Sequence, residues 1–423
     1  MQLPNAETTA GIAWSMRKIC LLVCLASFGP MCGYYMRYLQ MADWPMLVAG
    51  FPIGCDFANM WSGGRAAAAG DFSLIYDAKI YADELARLIH PGFYTNVLVW
   101  SYPPTAFWLG LPFAHLPYLP ALAIWTLAGL IACLLAFRLR APGPRDDWPL
   151  PLLVLAPAML IALYIGQTSL LTTAVFVAAF LLAADRPLLA GALLATFAVK
   201  PHLGLALPVA LLALGHRRAF AATAGFTVLY LLATLLVFGF APWHLFFDIT
   251  LPRQLGYLAV AGESLRDMYI SPYSMLVSLG AGRSVAMAVQ WGVAALALAA
   301  LGWSLPRLRD REMQLAMAAA TTMLLSPYMT LYELVLPALA ALRLAAYAPQ
   351  AVDDTMLVAR RLVVALSLGA PAVGLSVVYE INFNPIPLVM IAIVGIGTAS
   401  AWRNVEGRSA WPPARRLVGS ITS

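Results

Sequence analysis

Leu119-Pro120-Ala121-Leu122-Ala123-Ile124-Trp125-Thr126-Leu127-Ala128-Gly129-Leu130-Ile131-Ala132-Cys133-Leu134-Leu135-Ala136-Phe137 contains no charged residue, and Arg138 closes it. An uncharged apolar run of about 20 residues is the length that carries an α-helix across the hydrocarbon core of a bilayer. Comparable runs recur at Ile19–Met36, Phe220–Phe240, Val285–Leu305, Leu362–Val378 and Pro387–Trp402. A large soluble enzyme can bury one or two such helices, but not a chain composed of them. Composition agrees: 62% of the 423 residues are hydrophobic, 11% are charged and the mean hydropathy is +0.79. A soluble domain carries about 25% charged residues. The expected fold is all-α, a polytopic transmembrane bundle of about 10–13 helices in one membrane domain over residues 1–423.

The net charge of +6 and pI of 9.1 do not signal nucleic acid, because the basic residues cluster between apolar runs. Arg17 with Lys18, Arg138 to Arg145, Arg217 with Arg218, Arg307 to Arg311, Arg360 with Arg361, and Arg403 to Arg416 follow the pattern of cytoplasmic loops. Asp43–Val97 is instead net acidic, with Asp43, Asp56, Asp71, Asp77, Asp83 and Glu84 against Arg65, Lys79 and Arg87. These biases predict cytoplasmic N- and C-termini in a multi-pass inner (plasma) membrane protein. They also predict a first extracytoplasmic loop over 41–97, a second over 241–283 and a cytoplasmic tail over 403–423. Charges mixed with aromatic residues suggest short interfacial helices in both loops. Ile19–Met36 is long for a signal peptide and lacks a small-x-small exit, so it reads as a retained anchor. Two stretches stay open. Val97–Leu116, with Pro103, Pro104 and Pro112, is either a full span or a re-entrant hairpin. Pro187–Leu214, interrupted at Lys200-Pro201, is either one kinked helix or two short ones.

Ionisable groups at membrane depth are costly, so the few present are functional candidates. Asp56 follows the first apolar run and is either a helix N-cap or a free base. In a regular helix Asn59 shares its face, whereas Arg65, nine residues on, points away. Lys200 is one of only three lysines and precedes Pro201 and His202, where the helix must open. It either snorkels to an interface or waits for a phosphate. Ser101-Tyr102-Pro103-Pro104, Gly166-Gln167-Thr168-Ser169 and Ser326-Pro327-Tyr328, with Glu333 beyond, repeat the theme of polar groups at helix breaks. The five cysteines show neither paired nor metal-ligand spacing and read as packing residues. No Walker loop, HExxH or GxSxG occurs in a usable context.

Read in order, the pieces resemble a known family. Asp56 is followed by Trp61-Ser62-Gly63-Gly64-Arg65-Ala66-Ala67 and by Gly70-Asp71-Phe72-Ser73-Leu74-Ile75-Tyr76-Asp77. Then come Tyr102-Pro103-Pro104, Leu111-Pro112-Phe113, Leu116-Pro117, Gly166-Gln167, Ala190-Gly191, Lys200-Pro201, and Ser326-Pro327-Tyr328 before Tyr332-Glu333-Leu334. Over about residues 50 to 345 this series resembles the polyprenol-phosphate-dependent glycosyltransferases of family 87, in the GT-C fold class, which include mannosyltransferases. The resemblance implies that Asp56 is the catalytic base. The family's Lys-Pro pair maps onto Lys200 and Pro201; a departing donor phosphate needs a nearby cation, which Lys200 or a loop arginine (Arg65, Arg253 or Arg266) would supply. The family's motif places Asp71, Tyr76 and Asp77 around the substrates. Asn59 on the Asp56 face, with Tyr102, Gln167, His202, Tyr328 and Glu333 at the helix breaks, are the other substrate-binding candidates. The late motif departs from the family, which often carries Asp or His there. Here the acid is Glu333 and positions 328–332 hold no His, which weakens the transfer of mannosyl specificity and of acceptor identity.

The expected chemistry is inverting transfer of a hexose, with mannose as the family precedent, from a polyprenyl-phosphate donor to a lipid or glycan acceptor. The donor arrives within the bilayer, so no nucleotide or other cofactor is implied, and no dense carboxylate cluster demands a divalent ion. A polymerase or ligase using diphosphate-linked donors is one rival. A sugar-lipid flippase is the other, although the chain shows no inverted repeat.

Overall fold

The computed structural model describes residues 16–30, 33, 41–47, 51–90, 99–139, 148–260, 268–347, 353–381 and 383–409. Among the described residues helices dominate, and the strands are one small hairpin, Met41–Asp43 with Met46–Leu47. Five helices among the described residues are long and apolar enough to cross a bilayer: Tyr118–Arg138, Arg217–Phe238, Arg283–Ser304, Asp354–Leu375 and Ile386–Val405. They coincide with five of the six apolar runs, and the described part of the sixth, residues 19–30 and 33, is helical. Shorter apolar helices, Ser169–Leu182, Pro187–Val199 and Pro201–Ala213, fill the bundle. The protein is an all-α polytopic membrane bundle.

The helix of the opening run shows how its ends are settled. Pro117 precedes it and Pro120 lies in its first turn, where a missing N–H costs nothing. At the other end Arg343, fully buried, donates from Nη1 to Ala136 O, Phe137 O and Leu139 O at 2.9, 2.6 and 3.0 Å. Its remaining nitrogens grip Glu312 at 2.9 and 2.7 Å, so the charge is paired while the free carbonyls of the last turn are satisfied. Arg217–Phe238 lies at the edge of the bundle with Val228, Leu229, Leu232, Leu236 and Val237 exposed, the apolar surface that a bilayer covers. Ser169–Leu182, Arg311–Leu324 and Val335–Ala346 form the buried centre.

The segment after the first apolar run holds helices Cys55–Ala69, Ser73–Tyr76 and Ala78–Leu88. They pack with residues 99–125 into a core of their own around Phe57, Trp61, Tyr81, Trp100 and Phe107. Residues 104–113 settle one open choice. They form only the turns Pro104–Ala106, Phe107–Gly110 and Leu111–Phe113, too short to span, laid against Cys55–Ala69. The approach is so close that a Cβ on Gly64 would sit 2.1 Å from Gly110 O, which explains the small residues of that motif. Pro187–Leu214 divides at Lys200 into separate short helices. The later excursion begins as a helix over Ala241–Leu245, widens to a π-turn over Phe246–Thr250 and continues to Val260. Tyr76 OH donates to Pro242 O at 3.1 Å, tying the two excursions together, and Thr250 Oγ1 donates to Trp100 O at 3.2 Å.

Candidate active site

Two left-handed glycines bring Asp56 and Gln167 together. Gly54 (φ 72°) opens the helix Cys55–Ala69, and Gly166 (φ 66°) ends the helix Pro157–Ile165. Only glycine adopts this conformation without strain. Gly54 N donates to Tyr164 O at 3.1 Å, Tyr118 OH to Ile53 O at 2.6 Å, and Trp125 Nε1 to Gly166 O at 2.9 Å. A Cβ on Gly166 would lie 2.9 Å from Phe57 Cβ and 3.1 Å from Gly54 Cα. The turns are therefore pressed together, and the residues just beyond them meet: Gln167 Nε2 donates to Asp56 Oδ2 at 2.7 Å. Gly166→Ala should push these turns apart. Since displacing a reacting group by about 1 Å can cost about 100-fold, turnover should fall by that order. The variant's Tm in detergent should fall by only a few degrees, and full activity would show that the pairing does not matter.

Lys200 enters the same group because of a backbone break. It sits between the 3-10 turn Thr196–Val199 and the helix starting at Pro201, with φ −135° and ψ 76°. Pro201 cannot donate to the preceding turn, so the helix cannot continue through it. The ammonium, 6% exposed, donates to Gln167 Oε1 at 3.0 Å and to Glu333 Oε1 at 2.7 Å. It lies 5.8 Å from the ring centre of Tyr102 and 5.2 Å from that of Tyr332. Glu333, 2% exposed, is carried by the 3-10 turn Leu331–Leu334. Asp56, Gln167, Lys200 and Glu333 thus form one hydrogen-bonded chain drawn from four distant segments.

Asp56 lies in the excursion after the first apolar run, outside the spanning helices. Its carboxyl is pushed up to about 6: burial raises it most, Lys200 pulls it back, Glu333 adds to the rise and the Gln167 hydrogen bond lowers it. A base must be ionised to accept a proton. If Asp56 is that base, kcat/KM should be flat above pH 7 and fall about tenfold per unit below pH 6. An acid limb centred near 4 would remove Asp56 from the role.

A cavity of about 630 Å³ opens beside this chain, walled by Tyr102, Lys200, His202, Tyr328, Tyr332 and Glu333. A smaller apolar cleft of about 180 Å³ shares Leu194, Phe197, Gly204 and Pro208 with it and runs on toward Phe220 and Ala224 of the edge helix. Asp56, half-buried, and Gln167, buried, stand behind the wall rather than in it.

The other candidates are distributed unevenly. Asn59 Oδ1 accepts from Tyr81 OH at 2.5 Å, one turn along the helix from Asp56. Arg65 is turned away: it donates to Ala114 O at 2.9 Å and lies 5.1 Å over the Trp61 ring. Asp71 accepts from Ser73 N and Oγ, and Asp77 caps Ala78–Leu88 through Lys79 N and Ile80 N, so both act as local turn and cap residues. Tyr76 ties the excursions, as above. Arg253 is half-buried on the helix Leu251–Val260, whose Leu251 and Gln254 reach the cavity instead. Arg266 lies outside the described residues. Sequence reading missed Tyr81 and Trp243. Tyr81 has a signal, since it shares the apolar face of Ala78–Leu88 with Leu85. Trp243 lines the cavity but carries no mark in the sequence beyond its aromatic neighbours.

Fold and site together describe an enzyme embedded in a membrane. The chain belongs to glycosyltransferase family 87, whose model matches residues 100–327. No curated protein and no solved structure matches the chain. The matched part carries Tyr102, Gln167 and Lys200, whereas Asp56 and Glu333 lie outside it.

Proposed function

We propose that this glycosyltransferase moves a hexose, with mannose the first to test, from a polyprenyl-phosphate donor to a lipid or glycan acceptor. The reaction takes place on the extracytoplasmic face of the inner (plasma) membrane. The observation that carries this reading is the Asp56–Gln167–Lys200–Glu333 chain, whose Lys200 and Glu333 wall a cavity that shares lining residues with an apolar cleft. An isoprenoid chain fits the cleft by its chemistry, and the phosphate then falls beside the lysine. An ammonium has three donors, and two of those on Lys200 are engaged. The third serves a phosphate oxygen.

The acceptor hydroxyl gives its proton to Asp56 as its oxygen attacks the anomeric carbon. The bond from that carbon to the phosphate oxygen breaks, and polyprenyl phosphate leaves with the electron pair while Lys200 offsets its charge. One displacement inverts the anomeric centre. The outward side follows from Arg17 and Lys18 before the first apolar run and the acidic excursion after it.

Purified protein in liposomes, given radiolabelled polyprenyl-monophosphate and polyprenyl-diphosphate hexoses, tests this. Transfer from the monophosphate alone is the expected result. Transfer from the diphosphate alone would make the protein a ligase or polymerase, and translocation without transfer would make it a flippase.

A further inference from the structure

We infer that Gln167, singled out above as a substrate-binding residue, is a positioning residue for the base and does not touch substrate. The inference rests on the transferase reading for its consequence, but its geometry stands apart from it. The side-chain amide can be oriented in only one way. Its Oε1 faces two groups that can only donate, Thr168 N at 2.7 Å and Lys200 Nζ at 3.0 Å, and also accepts from the hydroxyls Thr168 Oγ1 at 2.9 Å and Tyr102 OH at 3.3 Å. Reversing the amide would set an N–H against an ammonium and a backbone N–H in a buried site, where unmatched donors are costly. Nε2 is therefore forced toward Asp56 and holds Oδ2 at 2.7 Å. Gln167 is 2% exposed and absent from the cavity wall, which leaves it no surface for a ligand. Its backbone is equally fixed, since Gln167 N donates to Ala162 O at 3.1 Å directly after the Gly166 turn. A carboxylate with one oxygen clamped in this way presents the other in a constant direction, as a base that must meet a hydroxyl requires.

The group that reports this is the Asp56 carboxyl. Its titratable neighbours are Cys55, the tyrosines 81, 102, 118 and 332, Lys200 and Glu333. The thiol and the phenols ordinarily titrate at about 8.5 to 10, well above an acid limb near 6. Lys200 and Glu333 are paired with each other. A shift of that limb on changing Gln167 therefore reads the Asp56–Gln167 bond.

Two variants test it in the full-length protein. Gln167→Leu removes the donor, and the acid limb of kcat/KM should rise by about one to two pH units, the equivalent of a lost hydrogen bond to a charged group. Most of the lost rate should return at high pH, with the donor KM changed by less than about threefold. Gln167→Glu keeps the shape and the acceptor for Lys200 but faces Asp56 with a second carboxyl. One proton is then shared and the limb should move further, in two coupled steps. The same midpoint is readable without turnover from the carboxyl C=O infrared band that Asp56→Asn abolishes. An upward shift of that band in both variants supports the inference whatever the substrate proves to be. A raised donor KM with an unmoved midpoint would make Gln167 a substrate contact. An equal loss at every pH with an unmoved band would leave it only a packing residue. Either result overturns the proposal, whereas absence of transfer by the parent protein, with the band still shifting, would count against the transferase reading alone.

Discussion

Asp56→Asn is expected to lower kcat for hexose transfer by about 1,000-fold or more, within the upper range of what one positioned base contributes. The substitution is close to isosteric. The new amide oxygen still accepts from Gln167 Nε2, so the clamp on the helix start survives. It also removes a carboxylate whose charged form burial disfavours. The variant should therefore express normally and melt no lower than its parent. Donor binding should hold or tighten slightly, because the site otherwise sets the two carboxylates of Asp56 and Glu333 against the single ammonium of Lys200. Loss of kcat without loss of affinity is the signature of a group needed only in the transition state. Single-turnover transfer in liposomes reads this directly. Retention of more than about a hundredth of parental kcat would show that another group takes the proton, and Glu333 would then be the cavity-wall carboxylate to examine.

The sequence made some of this legible and hid the rest for identifiable reasons. Apolar runs mapped onto spanning helices because at membrane depth length and hydropathy leave the backbone no alternative to a helix. The break at Lys200-Pro201 was legible too, since a missing N–H acts locally, although only the structure chose two helices over a kinked one. Arg65 turns away from Asp56, as nine residues of helix require. Asp71 and Asp77 are less plain. One oxygen of each accepts from a backbone N–H two or three residues ahead, in a turn for Asp71 and a helix cap for Asp77. Short-range spacing cannot separate a cap from a ligand. What no spacing could reveal was the convergence itself. Positions 56, 167, 200 and 333 meet only because two glycine turns abut and the 3-10 turns Thr196–Val199 and Leu331–Leu334 deliver Lys200 and Glu333 to them. Gln167 was visible as a residue, but its role was not, since that depends on which side of one amide faces a cation 33 residues away.

Lys200→Met should raise the Kd for a polyprenyl-phosphate hexose about 10- to 100-fold, the worth of one charge-assisted hydrogen bond to phosphate. Taken alone that result is ambiguous, because the lysine has two duties. It neutralises Glu333 at 2.7 Å in a site where both side chains are buried, and stranding a buried partner costs about 3–5 kcal/mol. The single variant could thus bind poorly because it is misassembled. Lys200→Met combined with Glu333→Gln separates the two effects. With no charge left unpaired, most of the lost stability should return, as it does when both members of a buried pair are replaced by neutral groups of similar volume. If the double variant melts near the parent yet still binds donor weakly, the ammonium is the phosphate's partner. Glu333→Gln alone should then bind donor a fewfold more tightly, because the carboxylate that competes for Lys200 is gone while the lysine remains on Gln167. Parental donor affinity in the double variant would instead confine Lys200 to holding Glu333, and the charge that meets the phosphate would have to come from elsewhere in the cavity.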